Sequence, residues 1–513
     1  MTAALHRTFA ALEVPNYRRY FSGQVVSVSG NWIQNVATMW LMVQLTGDGL
    51  AVGLTVALQF LPLMLLGAWG GLLADRVDKR RLLLGTQAAL AAPAIVLAAT
   101  TALGVVTPLL VYAMVLVRGA AMAIDNPARQ ALPIELVGPD RVVNAVALNS
   151  VVIQAARIVG PAVAGVTIAV VGIAWCFVLD ALTFVAMLVA LWRIDPDELH
   201  RAPRAARRPG ALREGVRYVA RTPALLIPLG MMSLVGLLSF NFQVVLPLLA
   251  HDTWQGTATT FTLLTMTMAV GSIAGALAAG SRATVSPRLL VGAAALFGVF
   301  QLLAAGAPSL PLQLVPLVFL GVASVTFSAG VNSTLQLDVA PEMRGRVMGL
   351  YSLVFLGSTP IGAPLVGWLS GAVGPRAGMA LGGAAALVAA GGAWLAYRRA
   401  GIATGRTGVA GATVAAEPAD AAVTGELPVV VERRAPLPVA GAATRPGVTG
   451  TLPRLARTPG VTGELPVAAV ATRGPRRPRP CDEGVASAPG ERRGGRRRAG
   501  EDAPLSGRAR ARA

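Results

Sequence analysis

Twelve long apolar stretches follow one another along the chain, separated by short polar or basic segments. They lie at roughly 20–46, 50–74, 82–104, 107–125, 142–171 and 174–193, then at 224–250, 257–280, 287–306, 309–331, 347–373 and 376–397. Each is long enough to cross about 30 Å of hydrocarbon as a helix. The pattern predicts an all-α polytopic membrane protein with twelve transmembrane helices.

The cations between these stretches alternate. Every second connection carries them: Arg76, Lys79, Arg80 and Arg81, then Arg129 and Arg141, then Arg193 to Arg221, Arg282 and Arg288, and Arg344 and Arg346. The other connections are short and contain only Arg376. Basic loops stay on the cytoplasmic side, so both termini are expected there. The long basic connection divides the chain into a six-helix bundle over 1–194, a cytoplasmic loop over 195–222 and a second six-helix bundle over 223–399. The halves share a register: Pro139-Asp140 aligns with Pro341-Glu342, Ser150 with Ser352, Gly160 with Gly362 and Gly165 with Gly367. A duplicated six-helix unit suits a transporter whose halves rock about a central site.

Composition sharpens the class. Of 513 residues, 54% are hydrophobic and 13% charged, which excludes an ordinary soluble domain. The formal net charge of +19 comes from loops and from residues 400–513, so it does not indicate nucleic-acid binding. That tail is rich in Ala, Gly, Pro and Arg, with Val-Thr-Gly-Glu/Thr-Leu-Pro at 423–428, 448–453 and 461–466. It has too little bulky apolar surface to fold alone and is expected to be disordered. Its Arg clusters could lie on anionic lipid, but a solvated tail without a transport role is the simpler reading and is preferred. Two distant cysteines, Cys176 and Cys481, and three scattered histidines give neither a disulfide framework nor a metal site. No cofactor is expected.

The most informative loop is Gly71-Leu72-Leu73-Ala74-Asp75-Arg76-Val77-Asp78-Lys79-Arg80-Arg81. Its carboxylate can accept from a helix N-terminus or pair with an Arg. This stretch resembles the loop between the second and third helices of the major facilitator superfamily, with Asp78 where a second glycine is usual. Asn16 to Phe21, Asn126 to Ala131 and Asn144-Ala145 resemble the enterobactin-exporter-like branch of bacterial effluxers. The resemblance implies that Asp75 and its cations latch the two halves on the cytoplasmic side and favour the outward-open state. An Asp at a partly buried helix N-terminus is worth up to about 2 kcal/mol, about thirtyfold on a two-state equilibrium. Asp125 and Arg129, at the same end, complete the candidate gate through an i, i+4 pair or through the loop cations.

Charges inside spans are functional candidates by default. Arg118 interrupts the fourth span at the position the superfamily associates with proton coupling. Arg157, a second intramembrane cation, is grouped with Arg118 and Asp180 as a candidate for proton coupling, and Asp180, the acid well inside a span, is the candidate proton-titrating group. A permanent ion pair of Asp180 with Arg157 or Arg118 is the competing role. Gly160, Pro161 and Gly165 resemble a reduced form of the fifth-helix antiporter motif and should bend that helix and let it pack closely. Asn31, Gln34 and Asn35 on the first span, and Asn241 and Gln243 on the seventh, are candidate cavity contacts. A helix-packing seam would use similar residues.

These features predict a monomeric secondary transporter of the bacterial plasma membrane, embedded in the lipid bilayer. It would exchange protons for a small organic molecule such as a drug, siderophore or secondary metabolite. No P-loop, Ser/His dyad or zinc motif supports an ATP-driven or enzymatic role. The alternatives are an importer or a uniporter, of which the uniporter would be indifferent to a collapsed proton gradient, and a membrane sensor that would lose its output on deletion of residues 400–513.

Overall fold

Helix boundaries follow local chemistry in this computed structural model, which describes residues 9–200, 211–280 and 285–401. The predicted disordered tail with its three repeats, and Arg282, lie outside the described residues. The helices in chain order are α1 (Pro15–Thr46), α2 (Gly49–Arg76), α3 (Lys79–Ala102), α4 (Pro108–Val137), α5 (Val142–Val170), α6 (Ile173–Trp192), α7 (Ala211–Arg221), α8 (Pro223–Leu238), α9 (Phe242–Leu248), α10 (Ala258–Gly280), α11 (Pro287–Ala305), α12 (Leu310–Asp338), α13 (Arg344–Gly357), α14 (Thr359–Val373) and α15 (Pro375–Arg399). Proline opens α1, α4, α8, α11 and α15, where its missing N–H costs nothing. Thr107, Ser286 and Asp48 cap three starts by accepting from Leu110, Leu289 and Leu50 backbone N–H at 3.3, 3.2 and 3.0 Å. Gly47 ends α1 at φ 58°, a left-handed conformation open to glycine at little cost.

Eleven stretches of described helix are long and apolar enough to span a membrane. α1 is the twelfth span: its 32 residues give ample length, but Asn, Gln, Ser and Thr dilute its hydropathy. Two spans expected to be continuous are broken. The seventh runs as α8, a break at Ser239–Asn241, α9 and a π-helical turn over Leu249–Thr253. At that break Gln301 Nε2 donates to the released Ser239 carbonyl at 3.2 Å, and Ser239 Oγ donates to the Gly382 carbonyl at 2.6 Å. Irregular backbone inside a membrane survives where side chains satisfy it in this way. The eleventh span divides at Ser358 into α13 and α14, just before Pro360, whose lack of an N–H weakens the helical ladder.

Residues Met1–Glu417 form one compact unit, and its packing repeats. In the first half α1 packs on α6, α2 on α4 and α3 on α6; in the second, α8 packs on α15, α10 on α12 and α11 on α15. These are equivalent pairs, so the structure contains two six-helix pseudo-repeats. Between halves, α2 lies against α14 and α5 against α10. The closest approaches fall toward the α1–α2 end of the bundle. A Cβ on Gly53 would sit 2.4 Å from the Ala363 carbonyl oxygen, and one on Gly367 would sit 2.4 Å from that of Gly49. Small residues here let the two backbones touch. Trp40 of α1 stacks on Phe261 of α10 and meets His251 edge-on, with centroids 6.2 and 6.1 Å apart, adding aromatic contact across the same end.

Candidate functional site

At the α2–α3 end, the charged loop is built into the first half. Asp75 and Arg76 are exposed in the last turn of α2, Gly71 is half-buried one turn earlier, and Arg81 is exposed in α3. Asp78, the residue replacing the motif's usual glycine, caps α3 by accepting from the Arg81 backbone N–H at 2.9 Å. Lys79 pairs with the buried Glu135 of α4 at 2.5 Å. Arg80 donates to the Leu191 and Trp192 carbonyls at the end of α6, both at 2.8 Å. A guanidinium satisfying terminal carbonyls also complements the negative end of that helix.

Beneath this loop lies a buried polar network spanning four helices. Asp125 Oδ1 accepts from Thr86 Oγ1 and Gln87 Nε2 of α3, each at 2.7 Å, while its Oδ2 pairs with Arg129 at 2.7 Å. Arg129 also donates to Gln24 Oε1 of α1 at 2.5 Å, and Gln24 Nε2 donates to Asn149 Oδ1 of α5 at 3.3 Å. Asp125 is fully buried, so its charge is held by two neutral donors and a cation, as buried charges require.

Deeper in the membrane region, Arg118 and Asp180 flank adjacent residues of α1. Arg118 is buried and donates to Asn31 Oδ1 at 2.5 Å. Asp180 of α6 is fully buried; its Oδ1 accepts from Thr183 Oγ1 at 3.4 Å and its Oδ2 has no hydrogen-bond partner within the protein. No direct bond joins Arg118 to Asp180, yet each lies in the other's electrostatic field. Gly30 closes the gap: a Cβ there would meet Thr183 Oγ1 at 2.1 Å and Asp180 Oδ1 at 2.7 Å. Gly30→Ala should therefore cost about 1–3 kcal/mol through overpacking, read as a lower thermal midpoint, and Thr183→Ala should recover part of that loss.

Arg157 is not brought to Asp180. Its guanidinium lies over the Trp32 ring at 5.7 Å, and its buried Nε has no partner. The α5 helix continues unbroken through the buried Pro161. Gly160 packs on Trp32, and Gly165 packs on Thr262 of the second half; a Cβ would meet them at 2.3 and 2.5 Å. Four further amides lie toward the middle of the molecule with an unpartnered acceptor each: Gln34 Oε1 and Asn35 Oδ1 on α1, Asn241 Oδ1 at the seventh-span break, and Gln243 Oε1 on α9. Phe240 and Phe242 flank Asn241, and both meet Phe297 in tilted contacts with centroids 5.1 and 6.1 Å apart. A separate groove of about 540 Å³ between α8 and α15, lined by residues including Leu226, Gly392 and Arg399, lies away from all these groups.

Residues 6–407 match the family described as transmembrane secretion effector, MFS_3. The chain belongs to this family of major facilitator transporters. The enterobactin exporter EntS of Escherichia coli is 28% identical over 388 residues, covering 73% of this chain and 90% of that protein. The staphyloferrin A transporter of Staphylococcus aureus is 26% identical over 269 residues, covering 50% of this chain and 64% of that protein. The fold matches the solved nucleoside transporter NupG, with TM-score 0.60 and 13% identity over 75% of this chain and 99% of that one. It also matches a bacterial homologue of the iron transporter ferroportin in the inward-facing state, with TM-score 0.59 and 14% identity over 74% and 98%. The protein is a multi-pass membrane transporter of small molecules, not an enzyme.

Sequence reasoning missed Glu135, Thr86, Gln87 and Gln24 as partners of the charged groups. No local spacing links Thr86, Gln87 or Gln24 to Asp125 and Arg129, or Glu135 to Lys79, because each pair lies on different helices. The signal available was their polarity inside apolar helices, which marks them as buried and bonded without naming the partner.

Proposed function

We propose that this transporter exports a small organic compound from the bacterial cytoplasm in exchange for protons, by alternating access. The observation that carries the proposal is Asp180: a fully buried carboxyl with one oxygen unpartnered, in the field of Arg118 and against α1. A proton arriving there would cancel a charge that Arg118 now balances across Gly30-Asn31, and so alter the packing of α1. That difference between protonation states is what a coupled carrier needs, because an ion shifts a conformational equilibrium only through differential interaction with its states.

On this proposal the end with the basic α2–α3 loop, and both termini, face the cytoplasm, a reading the positive-inside rule supports. The glycine and tryptophan contacts then close the outer side. On this reading the conformation is closed to the outside, and Lys79 and Arg80 hold partners in their own half because the inter-half latch belongs to the opposite state. Two relatives named for enterobactin export and staphyloferrin A transport favour a siderophore-like, drug-like or secondary-metabolite cargo. The test is accumulation of a panel of dyes, macrolides and siderophores in an efflux-deficient bacterium, with and without a protonophore. Lower accumulation of at least one compound that the protonophore abolishes is expected. Export that persists at full rate with the gradient collapsed would contradict proton exchange.

A further inference from the structure

We infer that Arg157, seated on Trp32, is the subsite that receives the carboxylate of an organic-anion substrate; this rests on the transporter reading above and specifies its cargo. Along α5, successive side chains turn by about 100°. Gly160 faces α1 through Trp32, and Gly165 faces the second half through Thr262. Arg157 projects between them, about 60° from the first and about 80° from the second. The exposed stripe of the same helix, Val151, Val159 and Val166 at 65%, 47% and 66% exposure, lies on the opposite side. Arg157 therefore faces the interior between the halves, not lipid.

The partner on α1 is placed in the same way. Asn35 lies between the directions of Trp32, which meets α5, and Asn31, which meets Arg118 of α4. Its Oδ1 has no partner within the protein. The interior thus holds a cation against an aromatic face, with an unpartnered amide one helical turn further along α1.

Charge balance separates Arg157, which is half-buried, from the other charges inside the spans. Arg129 has Asp125, and Arg118 has Asn31 with Asp180 in its field. Among the described residues no carboxylate pairs with Arg157, and its Nε is buried without a partner. An uncompensated buried charge is a standing cost, and a guanidinium does not shed its proton inside proteins. A fixed, unpaired cation makes a poor proton carrier but a good receptor for an anion. Its planar fork, with Cζ over the Trp32 ring 5.7 Å from the centroid, can offer two parallel N–H groups to a carboxylate.

The test measures thermal stabilisation of the purified full chain by 1-naphthoate and by its uncharged counterpart 1-naphthamide. Naphthoate should stabilise the wild type more than naphthamide does. Arg157→Gln should bind naphthoate about ten- to hundredfold more weakly, as expected for losing charge-assisted hydrogen bonds, with naphthamide unaffected. Arg157→Lys should retain part of the preference, because it keeps the charge and loses the fork. Without ligand, Arg157→Gln should be at least as stable as the wild type, since removing an unpaired, half-buried charge relieves part of its desolvation cost; a purely structural arginine would give a lower midpoint. Equal stabilisation by both compounds, no naphthoate effect on the wild type, or a preference that survives Arg157→Gln would overturn the assignment. Binding without a gradient does not depend on Asp180. A carboxylate preference with gradient-independent transport would therefore sink proton exchange and leave the subsite standing.

Discussion

Arg129→Ala is expected to cost the protein about 3–5 kcal/mol of stability, the penalty for stranding a buried carboxylate. Asp125 has no solvent to turn to, and Arg129 is the cation directly bonded to it. Thr86 and Gln87 would remain, but two neutral donors do not offset a full negative charge in the interior. The same truncation frees Gln24 Oε1, so the loss reaches α1 and, through Asn149, α5. A thermal midpoint several degrees lower in detergent would report it. Adding Asp125→Asn should restore much of the loss, because both charges are then gone and the amide oxygen can keep accepting from Thr86 and Gln87. A single Arg129→Ala variant as stable as the wild type would mean the network contributes little to the fold.

That network marks the boundary between what the chain's pattern reveals and what it hides. Apolar length and alternating basic loops are one-dimensional signals, and the helices fall close to where they indicate. The amides at 31, 34, 35, 241 and 243 were also visible, as polar residues at helical spacing inside apolar spans. The breaks at Ser239–Asn241 and Ser358 were not, because proline and small polar residues are tolerated in continuous membrane helices when neighbours satisfy the backbone. Here the neighbour at the first break is Gln301, 62 residues away in sequence. Separations of 56 and 105 residues likewise hid Glu135 from Lys79 and Gln24 from Arg129. Asp78 was legible only as a departure from a glycine pattern, although a carboxylate just before a helix start is also a recognised cap. Pairing of charges between spans is set by helix rotation and depth, which sequence spacing within one helix does not fix.

Asp180→Asn is the second large expectation. The substitution keeps the size of the side chain and its ability to meet Thr183, but it removes the proton-binding carboxylate. A pH difference of one unit carries about 1.4 kcal/mol per proton, equivalent to about a tenfold substrate ratio for one-to-one exchange. The wild type should sustain a ratio of that order in vesicles, whereas Asp180→Asn should let substrate equilibrate to a ratio near one. Exchange of labelled for unlabelled substrate should persist in the variant, because alternating access itself does not require the carboxylate on this proposal. Loss of exchange as well would assign Asp180 to the fold or to binding instead.

The most direct measurement uses proteoliposomes loaded with a pH-sensitive dye and supplied with a substrate identified in the accumulation panel. Substrate movement through the wild-type protein should drive protons in the opposite direction, and Asp180→Asn should abolish that proton signal while exchange continues. Substrate movement through the wild type with no accompanying proton movement, or an undiminished proton signal from Asp180→Asn, would contradict proton exchange at this carboxylate.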